Sequence, residues 1–196
     1  MRLVHFAGLP GSGKTTVIRR LCKGKNADFI ANNERSAKEL EPFCGHVDSF
    51  PFKSPCARIR QYSYRVEMMS QNSPSVLLTE PPGNCQEVSA PMLNQIYVNN
   101  KEINLGPLIT VIDGRMMVNG ISKRNSEGLR LFNMIDESDI VIVSFADELD
   151  GTESIVESIS SINEDSVIVL SSPESDLSAV EDAVFGDARY NRPLFN

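Results

Sequence analysis

No apolar run in the chain reaches the roughly 18 residues of a membrane-spanning helix, so a membrane span is excluded and no membrane partner is expected. Cysteine is scarce: Cys22, Cys44, Cys56 and Cys85 stand at irregular spacing. That spacing is not a disulfide framework, and free thiols suit a reducing cytoplasm. A glycine-rich motif already begins at Gly8, which leaves no room for a secretory leader, and we expect none. Basic side chains are absent between Leu131 and Ala188. Within a net charge of −7, residues 71–196 carry 7 Lys/Arg against 20 Asp/Glu, while residues 1–70 carry 12 against 6. An acidic half of this kind repels phosphate backbones and argues against nucleic acid as a partner. The basic half suits a small anion. Repeats, linkers and low-complexity tracts are also missing, so residues 1–196 read as a single domain.

Short apolar runs alternate with amphipathic stretches. Residues 2–7, 28–31, 75–79, 108–112, 140–144 and 167–170 read as strands, and 14–23, 57–70, 86–98, 127–135 and 153–162 as helices. The strands are continuously rather than alternately apolar, the mark of a parallel sheet covered on both faces. The expected fold class is therefore α/β, three-layered, with a mostly parallel doubly wound sheet. Residues 44–56, rich in Pro, Ser and Gly, read as an irregular mobile loop, and 187–196 as a tail. Cys22, His5 and the Met68-Met69 and Met116-Met117 pairs read as core, and Cys85 as packing.

The octapeptide Gly8-Leu9-Pro10-Gly11-Ser12-Gly13-Lys14-Thr15 fits G-x-x-x-x-G-K-[ST], between an expected strand and an expected helix. Glycines let such a loop curl its N–H groups around phosphate oxygens, and the helix N-terminus adds its positive end. Lys14 reaches the β/γ-phosphates, and the Thr15 hydroxyl binds Mg²⁺, with Thr16 next in line. The domain is thus expected to be a P-loop NTPase. Glu80 follows the strand at 75–79, at the carboxyl end where open α/β sheets bind ligands. A carboxylate there holds a Mg²⁺-bound water or orients the attacking one, and Gly83 offers an N–H near the γ-phosphate. Lys14 and Glu80 are the expected catalytic residues. The plainer reading of Glu80 is a solvated strand end.

The loop GLPGSGKTT, the pair Asn33-Glu34 and the stretch TEPPGN at 79–84 together resemble the SIMIBI-class metallochaperone GTPases of CobW/HypB/UreG type. The resemblance implies Mg²⁺-dependent hydrolysis of GTP to GDP, slow until a partner or a nucleotide-dependent homodimer completes the site. It implies a client metalloenzyme or cofactor-assembly protein, and a transition metal, Zn²⁺ or Ni²⁺. Where that family carries Asn-Lys-x-Asp for guanine, this chain has Ser144-Phe145-Ala146-Asp147. Asp147 keeps the carboxylate that accepts from guanine N1 and N2, whereas Phe145 replaces the lysine and can stack on the base. The rival role for Asp147 is the N-cap of the next helix. In place of the family's metal motif stands Ser54-Pro55-Cys56-Ala57, so Cys56 is the candidate soft ligand, with Cys44 and His46 upstream. A small-molecule kinase, or a nucleotide-bound module with little hydrolysis, uses the same loop and remains the alternative.

Overall fold

The computed structural model describes residues 1–51, 58–80, 89–118 and 125–189. Through them run strands β1 (Arg2–Ala7), β2 (Ala27–Ala31), β3 (Val47–Ser49), β4 (Val76–Thr79), β5 (Asn104–Asp113), β6 (Ile140–Ser144) and β7 (Val167–Ser171). They form one sheet in the order β3-β2-β4-β1-β5-β6-β7, every neighbouring pair parallel. The helices are α1 (Lys14–Cys22), α2 (Glu34–Leu40), α3 (Ile59–Ser70), α4 (Ser89–Asn99), α5 (Gly114–Met117), α6 (Ser126–Glu137), α7 (Glu153–Ile162) and α8 (Ser178–Phe185). The architecture is the expected α/β P-loop NTPase fold. Among the described residues, no helix is long and apolar enough to cross a membrane.

Strand alternation divides the core between the two faces. Val4 and Phe6 of β1 meet Val17, Ile18 and Leu21 of α1 and Val180 and Val184 of α8. Leu3 and Ala7, pointing the other way, meet Tyr62 and Val66 of α3 and Leu93 and Ile96 of α4. A third cluster sets Ile112, Val141 and Val143 against Leu131 and Ile135 of α6 and Ile155 and Ile159 of α7. Because both faces are covered, the inner strands carry no polar stripe.

Local expectations are corrected: Met68 and Met116, read as core, are exposed at the surface of their helices, and some elements depart from the expected pattern. β5 starts at Asn104, not at 108, although Gly106-Pro107 lies inside it. The register against β1 slips there, with Leu3 opposite Leu105 but His5 opposite Leu108. Such an irregularity is where a strand interior tolerates proline. Residues 47–49, placed by sequence within an irregular loop, form edge strand β3 beside β2. Phe29 N donates to His46 O and Phe50 N to Ala31 O, so β2 supplies the ladder that the sequence alone does not show. α2, which carries no clear period in its seven residues, is set by the Asn33 side chain accepting from Ser36 N at 2.9 Å. Of the expected tail, residues 190–196 lie outside the described residues.

The order of strands positions the site. β2, β3 and β4 lie on one side of β1, and β5, β6 and β7 on the other. In open α/β sheets a crevice forms outside the carboxyl ends at such a reversal. β1 delivers Gly8 there and β4 delivers Glu80, with His5 opposite Thr79 in the ladder.

Candidate nucleotide-binding site

Gly8 leaves β1 at φ +144°, and a Cβ on it would lie 2.3 Å from Val111 O, so the strand can turn this sharply only with glycine. Gly13, at φ 87° and ψ 8°, is the left-handed N-cap of α1. Lys14 folds back over the loop it follows, its Nζ donating to Gly8 O and Leu9 O, both at 2.9 Å. The Ser144 hydroxyl at the end of β6 lies 2.8 Å from Ser12 O and 2.9 Å from Ile112 O, tying the loop to the neighbouring strands. The Ser12 hydroxyl itself is buried and has no hydrogen-bond partner among the described residues, a polar atom of the kind a phosphate oxygen satisfies. Leu9, by contrast, buries its side chain in the core and offers the site only its backbone.

Beside the loop, Glu80 gathers the other polar groups. Its Oε1 accepts from Asn32 Nδ2 at 2.7 Å, and its Oε2 accepts from Thr15 Oγ1 at 3.3 Å. Lys14 Nζ is 3.9 Å from Glu80 Oε1, both side chains 4% exposed. Burial pushes the Glu80 carboxyl above its ordinary range, opposed by Lys14, Thr15 and Asn32. Burial likewise lowers Lys14, opposed by Glu80. Desolvation thus outweighs attraction for both partners, as at sites arranged for charged ligands. The Thr15 hydroxyl, with Ser36 Oγ 3.3 Å away, and the Glu80 carboxylate are hard oxygen donors on one wall. That donor set fits Mg²⁺.

These groups border a cleft of about 600 Å³ lined by Pro10, Gly11, Gly13, Lys14, Thr15, Thr16, Asn32, Asn33, Arg35, Ser36, Glu39, Glu80 and Phe145. Asn32 and Arg35 have no counterpart among the expected residues. The doubled Asn in Asn32-Asn33 was the available signal, since one amide caps α2 and the other is left for Glu80. Glu34, paired with Asn33 in the sequence comparison, is exposed on α2 and not part of the lining.

On the opposite wall Phe145 adopts a left-handed backbone, φ 57° and ψ 34°, and leads into a single 3₁₀ turn, Ala146–Glu148. Asp147 is exposed on that turn. It does not cap the next helix: α7 begins at Glu153, with Thr152 in the cap position. Arg115 stacks on Phe145, its guanidinium carbon 3.7 Å from the ring centroid.

Gly83, Cys56 and Cys85 lie outside the described residues. The Cys44 and Cys22 thiols are free and share a hydrogen bond, and His46 Nδ1 is 3.4 Å from Asp28. Among the described residues, no group of three or more His, Cys, Asp or Glu is arranged to hold a metal ion. His5 is buried as expected, with its Nδ1 bonded to Thr79 Oγ1 at 2.7 Å, while Nε2 has no partner among the described residues.

Strand, glycine loop, buried lysine and helix in this order define a P-loop NTPase fold. Residues 4–61, under a third of the chain, match the family described as the viral superfamily 1 RNA helicase core domain. That stretch is the phosphate-loop unit and the two strands after it. No curated protein matches the sequence. Among solved structures, the Zn(II)-bound YjiA GTPase from E. coli is similar with TM-score 0.65 at 14% identity, over 100% of this chain and 67% of that one. HypB from Helicobacter pylori in complex with nickel gives TM-score 0.59 at 19% identity, over 92% of this chain and 82% of that one. FtsY from Mycoplasma mycoides gives TM-score 0.60 at 12% identity, over 94% of this chain and 67% of that one. The resemblance to GTPases of the YjiA and HypB kind is therefore found in the fold.

Proposed function

We propose that this chain is a Mg²⁺-dependent GTPase of the cytoplasm that hydrolyses GTP to GDP and phosphate and acts in metallocentre or metal-cofactor assembly. The observation that carries the reading is the buried Lys14–Glu80 pair, 3.9 Å apart, on the wall of the phosphate-loop cleft. Phosphoryl transfer asks little covalent chemistry of a protein and much positioning and charge. Lys14 supplies a cation to the β/γ-phosphates from a buried, doubly bonded position. Thr15 and Glu80 would hold Mg²⁺, which when bound neutralises charge on the phosphate oxygens. Glu80 orients the water of attack, and Arg35 brings a second cation to the cleft. Gly83 adds a backbone N–H toward the γ-phosphate.

Phe145 provides a stacking surface for the base, and Asp147, two residues on, the carboxylate that reads guanine. The zinc and nickel present in the similar YjiA and HypB structures support the metal half of the reading. On this reading Cys56 ligates Zn²⁺ or Ni²⁺ across a nucleotide-dependent homodimer, which hands the ion to a client protein. The test is phosphate release from GTP and from ATP with Mg²⁺, with and without phosphoryl acceptors. GTP-selective release of phosphate is expected. Transfer to an acceptor would make the protein a kinase, and tight binding without turnover an interaction module.

A further inference from the structure

Phe145 is an aromatic residue held in a backbone conformation that bulky side chains rarely adopt, with φ 57°. Such strain persists only where the surroundings impose it, and it clusters where ligands bind. The surroundings here come from another strand end. Asp113 closes β5, and Arg115 follows in α5. Arg115 Nε and Nη2 donate to the two oxygens of Asp113 at 2.9 and 2.7 Å, and Nη1 donates to Glu148 at 2.9 Å. Asp113 is itself fixed as the cap of α5, accepting from Arg115 N at 3.0 Å. The planar fork pinned on two carboxylates then lies over the Phe145 ring at 3.7 Å.

An ion pair at a site 45% exposed contributes little stability on its own. What this one does is hold an aromatic ring still. Phe145 also borders the cleft together with Gly13, Lys14 and Thr15. A cation on one face draws ring electron density toward itself, which suits the other face to an electron-rich purine. A lysine would make a poor substitute, because an ammonium cannot bond both carboxylates and lie flat on a ring.

We infer that Asp113, Arg115 and Glu148 form a clamp that sets Phe145 as the stacking platform for the purine base. Arg115 is a positioning residue for base affinity and plays no part in phosphate affinity. The inference rests on the nucleotide site proposed above. Stacking tolerates any purine, so the clamp governs whether a base is held, while edge contacts govern which base.

Calorimetry with GTP and with inorganic tripolyphosphate, both with Mg²⁺, separates the two affinities. F145A and R115A are expected to bind GTP roughly tenfold more weakly and tripolyphosphate as the parent protein does. R115K is expected to show the loss of R115A, and E148Q, which strips the charge from one arm of the clamp and weakens it, a smaller one that serves if R115A does not fold. Unchanged GTP affinity in R115A and E148Q overturns the clamp, as does equal loss of both ligands, which marks Arg115 as merely structural. A parent protein that binds tripolyphosphate as tightly as GTP also overturns the platform but leaves the phosphate site standing. A parent protein that binds neither ligand overturns the nucleotide site itself.

Discussion

At the scale of single residues, Lys14 is buried because it serves the loop and not because it fills the core. Its contacts are two backbone carbonyls and Glu80. Lys14→Ala is expected to keep the fold and to weaken triphosphate binding by about a hundredfold, the cost of losing charge-assisted bonds to phosphate; titration calorimetry reads the loss and circular dichroism the fold. Glu80 must be ionised to hold a cation, and burial raises its pKa. At limiting Mg²⁺, turnover should therefore fall as pH drops into the acid range, because a proton competes with the cation for that carboxylate. A pH series at fixed nucleotide would show the fall, and Glu80→Gln should lose Mg²⁺-dependent turnover at every pH. His5 behaves in the opposite sense to a partnered histidine. Burial lowers it to about 3 from 6.5, so the unfolded chain binds a proton that the folded one refuses. Stability is complete above 6.5 and declines below it, by about 1.4 kcal/mol per pH unit. Urea unfolding at pH 7 and pH 5 should show this, and a His5→Asn variant should lose most of the difference.

The elements show how far local pattern reaches. In the irregular stretch of β5, a Cβ on Gly106 would lie 2.6 Å from Val4 Cγ2 and 3.0 Å from Arg2 Nε. Gly106→Ala should destabilise the protein by about 1–3 kcal/mol, measured by urea unfolding, while triphosphate affinity holds. β1, the phosphate loop and α1 are legible in the sequence because strand, glycine spacing and helix follow one another within 22 residues. β6 is legible because an unbroken apolar run has few other uses. β3 is not, since its three residues become a strand only against the edge of β2. The grip of Asn32 on Glu80 spans 48 positions, and no local spacing announces it. The same holds for Arg115, which meets Phe145 only because β5 and β6 are neighbours and end side by side.

For the whole molecule, the proposed reading places the metal between two chains, with Cys56 of each near the dyad. A GTP analogue with Mg²⁺ should move the protein from monomer to dimer in sizing experiments. Zn²⁺ or Ni²⁺ at about half an equivalent per chain should strengthen the shift, more so as pH rises and thiols ionise. Cys56→Ala should abolish the metal effect and leave nucleotide binding intact; metal uptake unchanged in that variant removes Cys56 from the reading. The sheet order has a consequence for how the molecule comes into being. β1 sits at the centre, yet its partners begin at Val76 and Asn104, so Arg2 pairs across 102 positions. At about 5–20 residues per second, a ribosome leaves the central strand without its β5 partner for roughly 5–20 s. Long-range parallel pairing of this kind also folds slowly once the chain is complete. The phosphate loop hangs on that strand, so it gains its full support only after β5 has been made, past the middle of the chain.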